Sequence, residues 1–471
     1  MLWIILAISL LVIQIIAVIL LEYSRPYKAI AWIVIVLMVP LFGFLLYCFI
    51  GKEYSLKRSA SRADHTALEQ IEKQLSGRCR HKREEERGTP AALPEGIHSK
   101  LKHAASLPVT YGNKTTVYAE GEEAFEDMLQ AIALAKHHVH IEFYIIRDDH
   151  LGSRFRQLLT RKAEEGVKVR LIYDGIGCYH KLGKSYMRRL HEAGVETGCF
   201  SPPLSSFYKQ CLNYRNHRKI VVVDGEIAYF GGLNIGDEYL GRNPKIGYWR
   251  DTFFRIEGDA VLWIQYTFLT DWHFVKGELV AGPDYYPLQD SKGNERVQIV
   301  KSGPDDPLQE LIFSCFVSAR RRIYIESPYF VPEASVMSAL KTAALSGVDV
   351  RVVLPAVPDS KVVYWASLSY VQELLQTGVR FFLYEKGFIH AKVTIADDLA
   401  FSGSANMDFR SFCGQFELDA FFYNRKTVDR LLRDFYSDLN VSKEIKLGQY
   451  EKRPQLQKYK EVFARLLSPL F

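Results

Sequence analysis

His217-Arg218-Lys219-Ile220-Val221-Val222-Val223-Asp224 is a stretch that the chain writes twice, for His390-Ala391-Lys392-Val393-Thr394-Ile395-Ala396-Asp397 returns in its second half. Both read His-x-Lys-x4-Asp, and both run through β-branched and apolar residues that predict a buried strand. Side chains on a strand alternate faces, so His217 and Lys219 point one way, as do His390 and Lys392. Each strand thus delivers an imidazole and an ammonium to one point. A lone histidine on a strand is usually a packing residue, but a pair at matching places of a repeat can divide a reaction between nucleophile and acid. Asp224 and Asp397 complete the candidate catalytic set of the motif. Parity nevertheless turns them to the opposite face, at turns (Asp224-Gly225, Asp397-Asp398), where the residues themselves read as structural, closing a hairpin or pairing with a nearby base.

Moving outward, each motif is followed by an echo, Gly231-Gly232-Leu233-Asn234 and Gly403-Ser404-Ala405-Asn406. Small residues there let backbone N–H groups and an amide approach an anion, which makes Gly232, Asn234, Ser404 and Asn406 candidate phosphate-binding residues. Two lysines and two asparagines suffice to neutralise a phosphodiester. With no His-Glu-x-x-His, no clustered acidic pair and no cysteine ligand set, neither a metal nor another cofactor is expected. Gly183-Lys184-Ser185 does not complete a nucleotide-binding loop, because Cys178 stands where its first glycine belongs.

Further landmarks repeat: Ile141-Glu142 with Ile325-Glu326, Gly166-Val167-Lys168-Val169-Arg170 with Gly347-Val348-Asp349-Val350-Arg351, and Ala193-Gly194-Val195 with Thr377-Gly378-Val379. Around them helical and strand periodicities alternate in the same order. The chain reads as an α/β protein built by internal duplication, two tandem β-sheet units flanked by helices and packed as a pseudo-two-fold pair. The expected divisions are 106–295 and 296–471 for the two repeats.

Two uncharged apolar stretches precede them, Met1–Leu21 and Ala29–Ile50, each long enough to cross about 30 Å of hydrocarbon as a helix. Residues 1–51 are therefore expected to be two transmembrane helices. Lys52, Lys57, Arg58 and Arg62 crowd the far side of the second stretch against Arg25 and Lys28 in the connection, which places the bulk of the chain and the amino terminus in the cytoplasm. Residues 52–105 read as a charged juxtamembrane linker, partly helical at most. A net charge of +6 in 471 residues suits work beside anionic lipid and does not call for nucleic acid. Seven cysteines without a C-x2-C spacing read as ordinary buried thiols. Two segments stay open between readings: Phe200–Tyr214, a lipid-facing lip or a long connection, and the tail Tyr459–Phe471, whose Val462, Phe463, Leu466 and Leu467 fit core packing or membrane contact.

The motifs resemble the phospholipase D superfamily. The fuller strings Asn216-His217-Arg218-Lys219, Gly231 to Gly241, Trp249-Arg250-Asp251-Thr252 and Gly403-Ser404-Ala405-Asn406-Met407-Asp408-x-Arg410-Ser411, with the amino-terminal apolar segments, are similar to those of bacterial cardiolipin synthases. The resemblance covers essentially the whole chain and implies two phospholipase D-like repeats. It implies that one histidine, taken as His217, attacks phosphorus while His390 protonates the leaving alcohol, and that an acidic residue downstream of each motif, Asp251 and Glu417, orients its histidine. It further implies transfer of a phosphatidyl group between two phosphatidylglycerol molecules, with anionic membrane lipid as partner, no nucleic acid, and room for a homo-oligomer. A hydrolytic phospholipase D and a membrane-anchored lipid-binding scaffold are the alternatives.

Overall fold

The computed structural model describes residues 2–23, 26–51, 62–85, 107–203, 214–303 and 308–468. Its centre is one mixed sheet whose two halves have the same internal order. In the first half, strand Glu196–Phe200 lies beside Lys168–Asp174, then His138–Phe143, Lys219–Val223, Ile227–Gly231, Phe253–Glu257 and Val109–Tyr118. In the second, Arg380–Tyr384 lies beside Asp349–Pro355, then Arg322–Glu326, Val393–Ala396, Leu399–Gly403, Gln415–Phe422 and Glu295–Ser302. The halves join antiparallel where Val109 faces Gln298, and Ser442–Ile445 adds an edge strand to the second. The duplicated α/β architecture expected from the landmarks is present.

Helices cover both faces, which is why the motif strand Lys219–Val223 is buried at every position. Gly121–Ala133, His150–Glu164 and Lys184–Glu192 enclose one apolar core with the first half-sheet. Leu308–Ser318, Ala334–Leu345 and Lys361–Leu375 do the same in the second. Ala260–Lys276, with Trp263 and Trp272 fully enclosed, lies in the third core, which also takes Val428, Leu431 and Phe435 from Arg425–Asn440. The matched landmarks have a backbone cause: Gly166 and Gly347 both sit at φ +89 just past a helix end, a left-handed position that lets the chain turn into the next strand. Lys184 opens a helix with Gly183 as its cap.

The amino-terminal region departs from expectation. Helix α1 (Leu2–Leu21) is the one helix among the described residues long and apolar enough to cross a membrane. The second apolar stretch is not a single helix: α2 (Pro26–Met38) stops at Val39, and α3 (Pro40–Leu46) starts afresh, followed by a wider helical turn at Tyr47–Gly51. Pro40 is the cause, since its ring clashes with the preceding turn and it has no N–H to continue the ladder. Within the expected linker, Arg62–Glu85 forms one continuous helix, α4. Its Leu75 and Cys79 enter the core around Ala260–Lys276, and its Arg78 donates to the Tyr286 carbonyl at 3.0 Å. Most of the Phe200–Tyr214 segment lies outside the described residues. The tail forms helix Gln455–Leu467, which packs on Lys361–Leu375 while leaving Leu456, Tyr459, Val462 and Phe463 exposed.

Candidate active site

The two His-x-Lys segments face one another across the junction of the halves. Each histidine sits just before its strand, at a break where the chain exchanges partners. Arg215–Asn216 pairs in parallel with Gln415–Phe416, and the His217 N–H donates to the Phe416 carbonyl at 2.9 Å. Reciprocally, Gly387–Ile389 pairs with Tyr248–Arg250, and the His390 N–H donates to the Arg250 carbonyl at 2.6 Å. Each repeat thus holds the other's histidine backbone.

The acids cross in the same way. Glu417 of the second repeat meets His217 Nδ1 with both carboxylate oxygens at 3.0 Å. Asp251 of the first meets His390 Nδ1 at 2.6 Å. The expectation that each acid orients the histidine of its own motif is corrected: the pairing is between repeats. Sequence spacing could not reveal this, because the exchange depends on how the two halves dock.

With Nδ1 engaged, each imidazole keeps Nε2 for whatever enters, and both rings line one cavity of about 410 Å³. Tyr144, Trp249, Tyr329, Arg147, Arg410 and Gln415 share its wall. Tyr144 packs edge-on to His217 with ring centres 5.0 Å apart, and Trp249 lies 5.0 Å from His390. Trp249 and Arg410 lie within the motif strings, so proximity to Asp251 and Asn406 was a usable signal for them. Tyr144 and Tyr329 carried none, since only the fold brings them in.

Lys219 and Lys392 lie beneath the histidines, each ammonium donating to its own motif histidine's carbonyl at 2.5 Å. Lys392 also stands 2.9 Å from His390 Nδ1. Burial, reinforced by the other lysine, pushes Lys219 down to about 7, and burial pushes Lys392 down to about 8. Burial and the lysine charges also drive His217 well below the ordinary histidine value and His390 to about 4. The acids diverge. Burial lifts Glu417 to about 7 despite Lys219 nearby, whereas at Asp251 the same burial is overcome by Lys392 and His390, which hold it below the usual carboxylate value.

The echo residues split. Gly232 leaves the space that Asp251 fills, since a Cβ there would lie 2.0 Å from its Oδ1. Ser404, at the matching place, donates through Oγ to Glu417 at 2.6 Å. Asn234 lines the cavity but its Oδ1 accepts from the Ile145 N–H at 3.1 Å, bracing the wall. Asn406 lines the cavity with a buried Oδ1 that has no hydrogen-bond partner.

Asp224 and Asp397 are not in the cavity. They stand at the far ends of the motif strands, about 15 Å along the chain from the lysines, at φ 54 and φ 53. Asp224 accepts from the N–H groups of Lys136, His137 and His138 at 2.8–2.9 Å. Asp397 accepts from those of Arg320, Arg321 and Arg322 at 2.8–3.1 Å. The structure places both away from the cavity: each caps the entry to the neighbouring strand, a task parity foreshadowed without naming the partners.

Two repeats that close one cavity with a His-Lys pair each define a phospholipase D-like protein. A family model described as "Cardiolipin synthase, PLD-like domain" matches residues 128–249 and 312–439, and one described as "Phospholipase_D-nuclease N-terminal" matches 1–52. Cardiolipin synthase of Alkalihalophilus pseudofirmus is 41% identical over 458 residues, 95% of this chain and 90% of its own. Cardiolipin synthase 2 of Bacillus anthracis is 42% identical over 466 residues, 96% and 88% of the two chains. The chain belongs to the cardiolipin synthase family. Its fold is shared with phosphatidylserine synthase of Haemophilus influenzae, with a TM-score of 0.60 at 14% identity over 80% of this chain and 100% of that one.

Proposed function

We propose that the protein makes cardiolipin at the cytoplasmic face of the membrane, transferring a phosphatidyl group from one phosphatidylglycerol to another and releasing glycerol. The reading rests on two histidines facing one cavity, each tied at Nδ1 by an acid of the other repeat. His217 Nε2 attacks the donor's phosphorus, the bond to the glycerol oxygen breaks, and His390 Nε2 gives that oxygen its proton. The glycerol leaves and the second phosphatidylglycerol takes its place. Its hydroxyl returns a proton to His390 as the oxygen attacks phosphorus, the P–N bond breaks, and cardiolipin departs. One phosphodiester replaces another, so no nucleotide is consumed.

The unequal acids support the division of labour. Asp251, held ionised, favours an imidazolium at His390 against the burial and Lys392 charge that pull that histidine down to about 4, while Glu417, raised to about 7, gives His217 less reason to hold a second proton and leaves its Nε2 lone pair free. An anionic phosphodiester in the cavity above Lys219 and Lys392 favours their charged forms. The test is purified protein with phosphatidylglycerol alone. Cardiolipin and glycerol should appear in equal amounts; phosphatidic acid as the main product would mean hydrolysis, and no lipid turnover by folded protein would leave a binding scaffold.

A further inference from the structure

Ala29–Ile50 would extend about 33 Å as one helix, enough to cross a bilayer. Instead the chain reverses at Val39–Pro40. A Cβ on Gly43 would lie 2.8 Å from the Ile35 carbonyl oxygen and 3.1 Å from Val36 Cα, so α3 runs back against α2. Gly51 sits against the rings of Trp32 and Tyr47. Most tellingly, Tyr47 Oη donates to Glu22 at 3.2 Å, and the same carboxylate pairs with Lys28 Nζ at 3.5 Å. In an unbroken helix residues 28 and 47 would be about 28 Å apart.

The tip of this hairpin is wholly apolar: Leu37, Met38, Val39, Leu41 and Phe42 are half or more exposed around Pro40. Its backbone suits hydrocarbon. Pro40 brings no N–H, and the N–H groups of Val39 and Gly43 bond to Ile35 and Val39 carbonyls at 3.0 and 2.6 Å. With thirteen residues, α2 reaches only about 20 Å, short of the opposite interface. The root lies on the catalytic body, where Pro26 and Lys28 line a cavity with Val331, Phe409, Arg465 and Ser468. The C-terminal helix packs against α2 there, with its exposed apolar residues Leu456, Tyr459, Val462 and Phe463 spaced along one helical face.

We propose that α2 and α3 form a re-entrant hairpin that enters and leaves the bilayer on the side of the catalytic body, so that α1 alone crosses and the amino terminus lies on the opposite side. Two crossings would place the 22–28 connection across the bilayer from the body it touches. Charge in the sequence agrees with this topology: the segments flanking the hairpin carry Arg25, Lys28, Lys52, Lys57, Arg58 and Arg62, whereas residues 1–21 carry no charged side chain.

The test is accessibility of the full chain in a cysteine-free background that still makes cardiolipin. Tyr23→Cys and Leu288→Cys should react with a membrane-impermeant maleimide only in inverted vesicles, Trp3→Cys only in spheroplasts, and Leu41→Cys in neither. Tyr23→Cys reacting from the side opposite Leu288→Cys would overturn the proposal. Should the cysteine-free chain misfold, an epitope tag before Met1 of the otherwise native protein decides: removal by protease added to spheroplasts is expected, and removal only in inverted vesicles refutes.

Discussion

Gly232→Ala is the smallest change that should disable the crossed site. The added Cβ would stand 2.0 Å from Asp251 Oδ1, 2.7 Å from its Cγ and 2.8 Å from Oδ2. The carboxylate must retreat by roughly 1 Å or more to regain ordinary contact, yet it is buried and tied to the Thr252 N–H at 2.8 Å. What gives way is its 2.6 Å contact to His390 Nδ1. Losing the carboxylate that orients a catalytic imidazole costs on the order of 10²–10⁴ in rate, about 3–5 kcal/mol of barrier. The assay is the initial rate of cardiolipin formation by purified protein, with thermal unfolding measured alongside. Ser404→Gly is the mirror control. It removes the 2.6 Å bond to Glu417 and the 2.9 Å bond that Oγ accepts from the Leu418 N–H, without pushing the acid aside, and should cost about tenfold. In an Asp251→Ala background the Cβ has room, so Gly232→Ala should add little there. Wild-type turnover by Gly232→Ala, or its full cost again on top of Asp251→Ala, would refute the reasoning.

With a phosphodiester whose leaving group needs no proton, His390→Ala should accumulate labelled phosphorus on His217, because no base remains to activate the acceptor; acid-labile label detected by mass spectrometry checks this, and label on neither histidine counts against covalent catalysis. Free-enzyme kcat/KM should fall as pH rises through about 7 to 8, where Lys219 and Lys392 lose their protons, while the phosphodiester stays anionic; under saturating lipid the limb should move upward, since a bound anion favours the charged lysines. Asp224→Ala should leave kcat near wild type and cost about 2 kcal/mol of stability, since three backbone N–H groups lose their acceptor; unfolding in denaturant measures it, and a large loss of kcat in folded protein would return Asp224 to the catalytic set.

The repeat, the α/β order and the His-Lys pairs were legible because they are local: period-two burial sets parity, and glycines at φ +89 mark the same turns twice. The acids were legible as positions but not as partners. Asp251 and Glu417 look like servants of their own motifs until the halves dock, and docking depends on the whole sheet rather than on any spacing. Hydropathy misled at Ala29–Ile50 for a related reason. It sums apolarity over a window and is blind to one proline that ends the helix. Similarly, the charge of Arg62–Glu85 hid the Leu68, Ile71, Leu75 and Cys79 side chains that hold α4 against the body.

Docking also explains why the two motifs differ at their middle residue. Arg218, between His217 and Lys219, pairs with Asp271 of helix Ala260–Lys276 and passes 5.3 Å over the ring of Phe416, the residue before Glu417. In the other half-site Ala391 holds the place of Arg218, and the residue before the orienting acid is Arg250, paired with Asp438 of helix Arg425–Asn440 at 2.8 Å. Because His217 bonds to the Phe416 backbone and His390 to that of Arg250, the two sources of the guanidinium are neighbours in space. Each half-site therefore receives one arginine, from the histidine's own strand in one and from the crossing strand in the other. Both arginines meet acid pairs of the same design, Asp271 beside Glu142 and Asp438 beside Glu326, where burial and the adjacent carboxylate keep each glutamate well above its usual value. What duplication conserved here is the charge under each histidine and not the residue that supplies it. Arg218 with Phe416, and Ala391 with Arg250, are thus units. Ala391→Arg alone would force a second buried guanidinium against one acid pair, while Arg218→Ala alone would leave Asp271 and Glu142 without a cation.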